Sequence, residues 1–143
     1  MQPTRIIPDL QCALVCEDIR QEVTGNLIFL GVVNFIRVPQ LPIAVFKLCV
    51  VTRWTAGMGQ FAEAIRLVSP DQTSVLWKSD VKFALRDPST NCTNVSVMSQ
   101  VKLEAAGVYY LEVLVDDVMK LRVPVPVAVV PPPQQGQEPT ATK

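Results

Sequence analysis

Val75-Leu-Trp-Lys-Ser-Asp-Val-Lys-Phe-Ala-Leu85 alternates apolar and polar side chains with a period of two. Val75, Trp77, Ser79, Val81, Phe83 and Leu85 share one side, and Lys78, Asp80 and Lys82 share the other. Successive side chains of an extended chain point to opposite faces, so the stretch reads as a β-strand with one dry face and one wet face.

The same period runs outward from this stretch. Toward the C-terminus, Thr93, Val95, Val97, Ser99, Val101 and Leu103 form a row whose alternates are Asn94, Ser96, Met98, Gln100, Lys102 and Glu104. Tyr109, Leu111, Val113 and Val115 form a third row, and Met119, Leu121, Val123, Val125, Val127 and Val129 a fourth. Each of these rows is expected to face the core, as in antiparallel sheets wetted on one side. Toward the N-terminus the strands are more apolar on both faces. Cys12–Asp18 and Leu27–Val33 read as a hairpin closed by Val23-Thr-Gly-Asn26, and Val45–Trp54 as a long strand with Phe46, Leu48, Val50 and Trp54 on one side. Ser69-Pro-Asp-Gln72 and Arg86-Asp-Pro-Ser-Thr90 read as further hairpin turns, and Asp116-Asp117 as the turn of the last pair. Phe61, Ala64, Ile65 and Val68 fit helical spacing, but a turn and an amphipathic strand follow at once. This segment is therefore read as a strand, with a short helix as the alternative.

These signals amount to an all-β chain: an antiparallel β-sandwich of about eight strands, immunoglobulin-like or similar. Pro124 and Pro126 cannot donate to a ladder, so the last strand is expected at an edge, or with its unpaired side at those residues. Residues 1–130 read as one domain. Pro131-Pro-Pro-Gln-Gln-Gly-Gln-Glu-Pro-Thr-Ala-Thr-Lys143 has no apolar periodicity and reads as a disordered Pro/Gln-rich tail.

Composition narrows the function classes. Thirteen basic residues balance thirteen acidic ones, so the chain lacks the basic footprint of a nucleic-acid binder. Its longest apolar run, Leu27–Val33, is too short to span a bilayer as a helix, and no charged-then-apolar leader opens the sequence. There is no histidine, which removes the commonest general base and the commonest metal ligand. No phosphate loop follows Gly57 or Gly59, and Cys12, Cys16, Cys49 and Cys92 make no zinc knuckle. Cys12 and Cys16 would lie roughly 13 Å apart on one strand, too far to bond. The cysteines read as small buried hydrophobes, with a Cys16–Cys49 or Cys49–Cys92 bridge as the alternative, and point weakly to the cytoplasm. Asn91-Cys-Thr93 and Asn94-Val-Ser96 match glycosylation acceptors but carry little weight without a secretion signal.

Two surface features stand out. Val108, Tyr110, Glu112 and Leu114 lie opposite the row from Tyr109 to Val115 and would leave an apolar patch, a candidate interface. Asp116 and Asp117 could face a calcium ion if loop carboxylates such as Asp71 or Asp87 joined them; a solvated turn is the simpler reading.

Two stretches carry a resemblance. Ala13-Leu-Val-Cys-Glu-Asp-Ile-Arg20 followed by Gly25-Asn-Leu-Ile-Phe-Leu-Gly-Val32 resembles the opening of a family of small uncharacterised bacterial β-sandwich proteins. Leu41-Pro42, Lys47-Leu-Cys-Val-Val51 and Gly107-Val-Tyr-Tyr-Leu-Glu-Val113 are similar to its later strands. The resemblance implies the fold up to about Val130 and brings no activity or catalytic residues. The sequence thus leads to a non-catalytic binding or structural module, acting through a sheet face or end loops on a protein partner or as a homo-oligomer. No cofactor, nucleic acid or membrane is expected. A calcium- or carbohydrate-binding sandwich is the alternative.

Overall fold

The computed structural model describes residues 4–130, apart from the side chain of Phe46. The tail from Pro131 and the facing of Phe46 therefore lie outside the described residues. Nine strands follow one another: β1 (Asp9–Gln21), β2 (Leu27–Val32), β3 (Ile36–Val38), β4 (Ile43–Thr55), β5 (Gly59–Val68), β6 (Val75–Leu85), β7 (Asn91–Leu103), β8 (Gly107–Val115) and β9 (Val118–Val129). They form two sheets, ordered β2-β1-β4-β7 and β3-β9-β8-β5-β6. Only β3 and β9 pair in parallel. The fold is an all-β sandwich, with nine strands rather than eight and no helix among the described residues.

The ambiguous segment is strand β5. Its buried row is Phe61, Glu63, Ile65 and Leu67, while Ala64 turns the other way, so the helical spacing of Ala64 with its neighbours is incidental. Leu48, Val50, Met98, Val101 and Leu103 from one sheet meet Ile65, Leu67, Tyr109, Leu111, Val125 and Val127 from the other. A second core block gathers Trp54, Phe61, Phe83, Leu85, Val113 and Val115, with the Trp54 and Phe83 rings stacked at 5.5 Å. Full burial of such side chains contributes about 1.5–3 kcal/mol each.

Several expected details need correction. The row Thr93, Val95, Val97 and Ser99 faces outward: Val97 is 52% exposed, while Cys92, Asn94, Ser96 and Met98 point between the sheets. Alternation shows that a strand has two faces; it does not say which is inside, and here the polar face has polar partners across the gap. Leu121 and Met119 are also exposed, and β9 carries an extra residue, Lys120, between the pairs Val113–Leu121 and Leu114–Met119, which breaks the alternation there. The 86–90 turn joins β6 to β7 in the other sheet and is not a hairpin. β9 is not an edge strand, since Val127–Val129 pair with β3; Pro124 and Pro126 precede that pairing and meet only β8. That satisfies the second form of the expectation, because the missing donors fall where no second ladder exists.

At two places paired strands turn over together. Val45 and Leu48, three apart, both reach the main core, as do their partners Val101 and Met98, yet the β4–β7 register is unbroken. The turnover coincides with positive φ (56°) at Gln100. In β1 and β2, Cys16 and Ile19 contact one cluster, and the change of face coincides with Gly31 at φ 65°. Glu17 packs against Gly31 so closely that a Cβ there would lie 2.8 Å from its carboxyl carbon.

The β8–β9 hairpin closes as the sequence indicates. Asp116 and Asp117 both have positive φ (47° and 65°), the conformation of a type I′ turn, whose twist suits a two-residue hairpin. At the other end of β8, the buried Tyr109 donates its hydroxyl proton to the Ala105 carbonyl at 2.7 Å, pinning the loop to the strand. Tyr109→Phe should lower unfolding free energy by about 1 kcal/mol, read by urea denaturation with an unchanged slope. No loss would mean that water replaces this bond at no cost.

Candidate functional site

The β8 face singled out in the sequence is the outer side of the five-stranded sheet. Val108 is exposed there and Leu114 is buried at 7% against its neighbours. Glu112 sits between two guanidiniums, 3.2 Å from Arg66 on β5 and 3.8 Å from Arg122 on β9. The Arg122 guanidinium lies 4.1 Å from the centre of the Tyr110 ring and also donates to Gln72 at 2.5 Å. An ion-pair lattice therefore covers much of what the sequence presents as an apolar patch. Long cationic side chains lay their stems over apolar surface in this way.

The acidic turn is similarly engaged. Asp116 accepts the Ala62 N–H at 2.9 Å and pairs with Arg5. Desolvation works against its charge, but these hydrogen bonds and the Arg5 charge outweigh it and hold its carboxyl below the usual range. Asp71 closes its own loop through Ser69 and Thr73, and Asp87 does so through Ser89. Each aspartate thus serves a local turn. Among the described residues no three acidic or cysteine side chains converge as metal ligands.

Two features had not been singled out from the sequence. The first is Glu63, 1% exposed inside the sandwich. Its Oε2 accepts from Thr52 Oγ1 at 2.5 Å, Trp54 Nε1 at 2.5 Å and Asn94 Nδ2 at 3.2 Å. Its Oε1 is buried without a hydrogen-bond partner. Beside it, Cys92 Sγ donates to Asn94 Oδ1 at 3.3 Å, and desolvation followed by the Glu63 charge pushes the thiol up from its usual range. Ser79 and Ser96 continue the polar seam with a 3.1 Å bond. Nothing in β5 alone flags Glu63; the signal is the polar even-numbered row of β7, which needs a partner if it faces inward.

The second feature is the outer face of the four-stranded sheet. Val32, Cys16, Cys49 and Val97 stand in register across β2, β1, β4 and β7. Leu14, Val51 and Val95 form the next rung. Cys16, Cys49 and Val51 are buried by their neighbours, with Ile19 and Phe29 packed against them, while Val32 and Val95 are 50% and 42% exposed. Lys47 and Asp18, 3.4 Å apart, mark one border, and Arg53, bonded to Gln11 and Thr93, the other. An apolar centre inside a polar rim has the anatomy of a protein interface. All four cysteines are free thiols, including the directly opposed Cys16 and Cys49.

A groove of about 580 Å³ opens at one end of the sandwich, lined by Val33, Phe35, Ile36, Pro39, Ile43 and Val45. Arg37 stacks on Phe35 there, and Glu17 and Asn34 add polar groups to the lining.

A family model matches residues 11–128, from the third residue of β1 to the last but one of β9. The chain belongs to DUF6941, a family of unknown function. The residues matched by the DUF6941 model span both sheets, including those of the Glu63 seam and the apolar outer face. The resemblance noted in the sequence is thereby established as membership of a family without assigned activity. No curated protein matches the chain.

Proposed function

We propose that this DUF6941 domain is a non-catalytic interaction module whose working surface is the outer face of its four-stranded sheet. The observation that carries the reading is the pair of apolar rungs from Val32 to Val97, exposed at Val32, Val95 and Val97 and rimmed by Asp18, Lys47 and Arg53. Wet β-sheet faces present polar side chains; apolar ones on this scale serve association. The partner is a protein with an apolar surface of its own, since the face offers no cluster of positive charge to a nucleic acid or an anionic lipid. Free thiols throughout, with Cys16 opposite Cys49, fit a reducing compartment such as the cytoplasm. The β8 face is the second surface to weigh, because Val108 remains exposed beside the Glu112 ion pairs.

A photo-crosslinking residue placed singly at Val97, Tyr110 and Lys78 separates the surfaces in the native host. Adducts should dominate at Val97 and be sparse at Lys78, which stands on a charged face. Adducts confined to Tyr110 would move the working surface to β8. Silence at Val97 with specific adducts elsewhere would end the proposal.

A further inference from the structure

The sandwich has four edge strands, and one of them is built unlike the others. β3 is three residues long and carries Arg37, and β6 carries Lys78, Asp80 and Lys82; β7 is uncharged from Asn91 to Val101 but has Asn, Thr, Ser or Gln at six of those eleven positions before Lys102. Short length and charge are the ordinary means by which an edge is kept from pairing with another chain. β2, Leu27-Ile-Phe-Leu-Gly-Val32, has six residues, no charge and no proline. The uncharged stretch extends from Val23 to Ile36. Leu27, Ile28, Leu30 and Val32 are all exposed, so the strand shows apolar side chains on both faces of the sheet.

The backbone of β2 specifies what can cover it. Glu22 donates its N–H to the Asn26 carbonyl, which fixes the phase of the β1–β2 ladder. Bonded and non-bonded pairs alternate in an antiparallel ladder. From that phase, Ile28 and Leu30 bond to β1, while Leu27 and Phe29 turn N–H and C=O toward the open edge. Among the described residues no strand takes up those groups. A lipid or a small apolar molecule would bury them without hydrogen bonds, which buried backbone groups do not tolerate well. Another β-strand satisfies them, and it must be as uncharged as β2 to avoid desolvating an ion against leucine and phenylalanine.

β2 itself meets that requirement. We infer that β2 pairs antiparallel with β2 of a second copy of this chain, joining two four-stranded sheets into one of eight strands. A two-fold axis near the centre of the strand would set an apolar residue against an apolar residue, without like charges in contact. The chain's formal net charge of zero adds no repulsion between copies. This edge is a different surface from the face proposed above, although the dimer would lay two such faces side by side.

Sedimentation velocity of the full chain, with Leu30→Lys and Val97→Lys beside the wild type, tests it. Wild type and Val97→Lys should be dimers; Leu30→Lys should weaken the dimer roughly tenfold or more while keeping the β spectrum, because Leu30 is already exposed. A wild type that is monomeric throughout, or a Leu30→Lys variant that dimerises as well as the wild type, overturns the inference. Loss of the dimer in Val97→Lys alone would place self-association on the sheet face instead, and overturn the edge while leaving the face proposal standing. If Leu30→Lys fails to fold, hydrogen exchange of the wild type decides. The Leu27 and Phe29 amides should gain protection as concentration rises, and fast exchange at every concentration excludes the pairing.

Discussion

Glu63→Ala should lower unfolding free energy by about 3–5 kcal/mol, a large share of the total stability of a domain this size. Three donors converge on one carboxyl oxygen inside the sandwich, from Thr52, Trp54 and Asn94. Truncation leaves all three buried without an acceptor and opens a void where the side chain stood; each effect alone is worth about 1–3 kcal/mol. Glu63→Gln should cost much less, because its amide oxygen can take the place of Oε2 and its amide nitrogen stands where Oε1 has no partner. Urea denaturation of the two variants checks the order. Equal losses would show that volume, rather than the acceptor, is what the seam needs, and a Glu63→Ala variant as stable as the wild type would mean that the donors find other partners at no cost.

Trp54→Ala should be of similar size, about 3–5 kcal/mol, for a different reason. Trp54 is fully buried, stacks on Phe83 at 5.5 Å and closes the second core block against Phe61, Val113 and Val115. Its indole N–H is also one of the donors to Glu63. The two truncations therefore share an interaction, and combining them should cost less than the sum by about 1 kcal/mol or more. Strict additivity in that double-mutant cycle would show that the Trp54–Glu63 bond contributes nothing beyond its two ends. A Trp54→Phe variant keeps an aromatic ring beside Phe83 and loses the donor and part of the indole volume, so its loss should fall below that of alanine.

The sequence made the strands legible because their period is strong, and it made the turns legible because Thr24-Gly25-Asn26, Ser69-Pro70-Asp71 and Asp116-Asp117 carry recognisable turn chemistry. What it left open was the sense of each face. In β6 the charges of Lys78, Asp80 and Lys82 settle the matter, and Trp77, Phe83 and Leu85 turn inward as read. In β7 both rows are weakly polar, and Val95 and Val97 looked more like core than Asn94 and Ser96. The inward choice depends on Glu63 and Ser79, which reside on strands of the other sheet. Such information is non-local and cannot be taken from one strand. The apolar outer face was hidden by the same inversion, since the valines that make it had been assigned to the interior. The sequence placed Val108, Tyr110 and Glu112 on the outward side of β8. Arg66 and Arg122, which pair with Glu112 and of which Arg122 overlies Tyr110, come from neighbouring strands and left no mark in the local pattern.

The paired turnover of β4 and β7 has a consequence for how this domain tolerates change. Loss of a single residue beside Gln100 would send Val101 and Leu103 to the solvent side while Val45 and Ile43 stayed put. A matching deletion in the facing strand would restore the pairing but leave both apolar rows on the solvent side. Length variation among related chains should therefore be absent here, and accumulate instead in the loops after Gln21 and Val68.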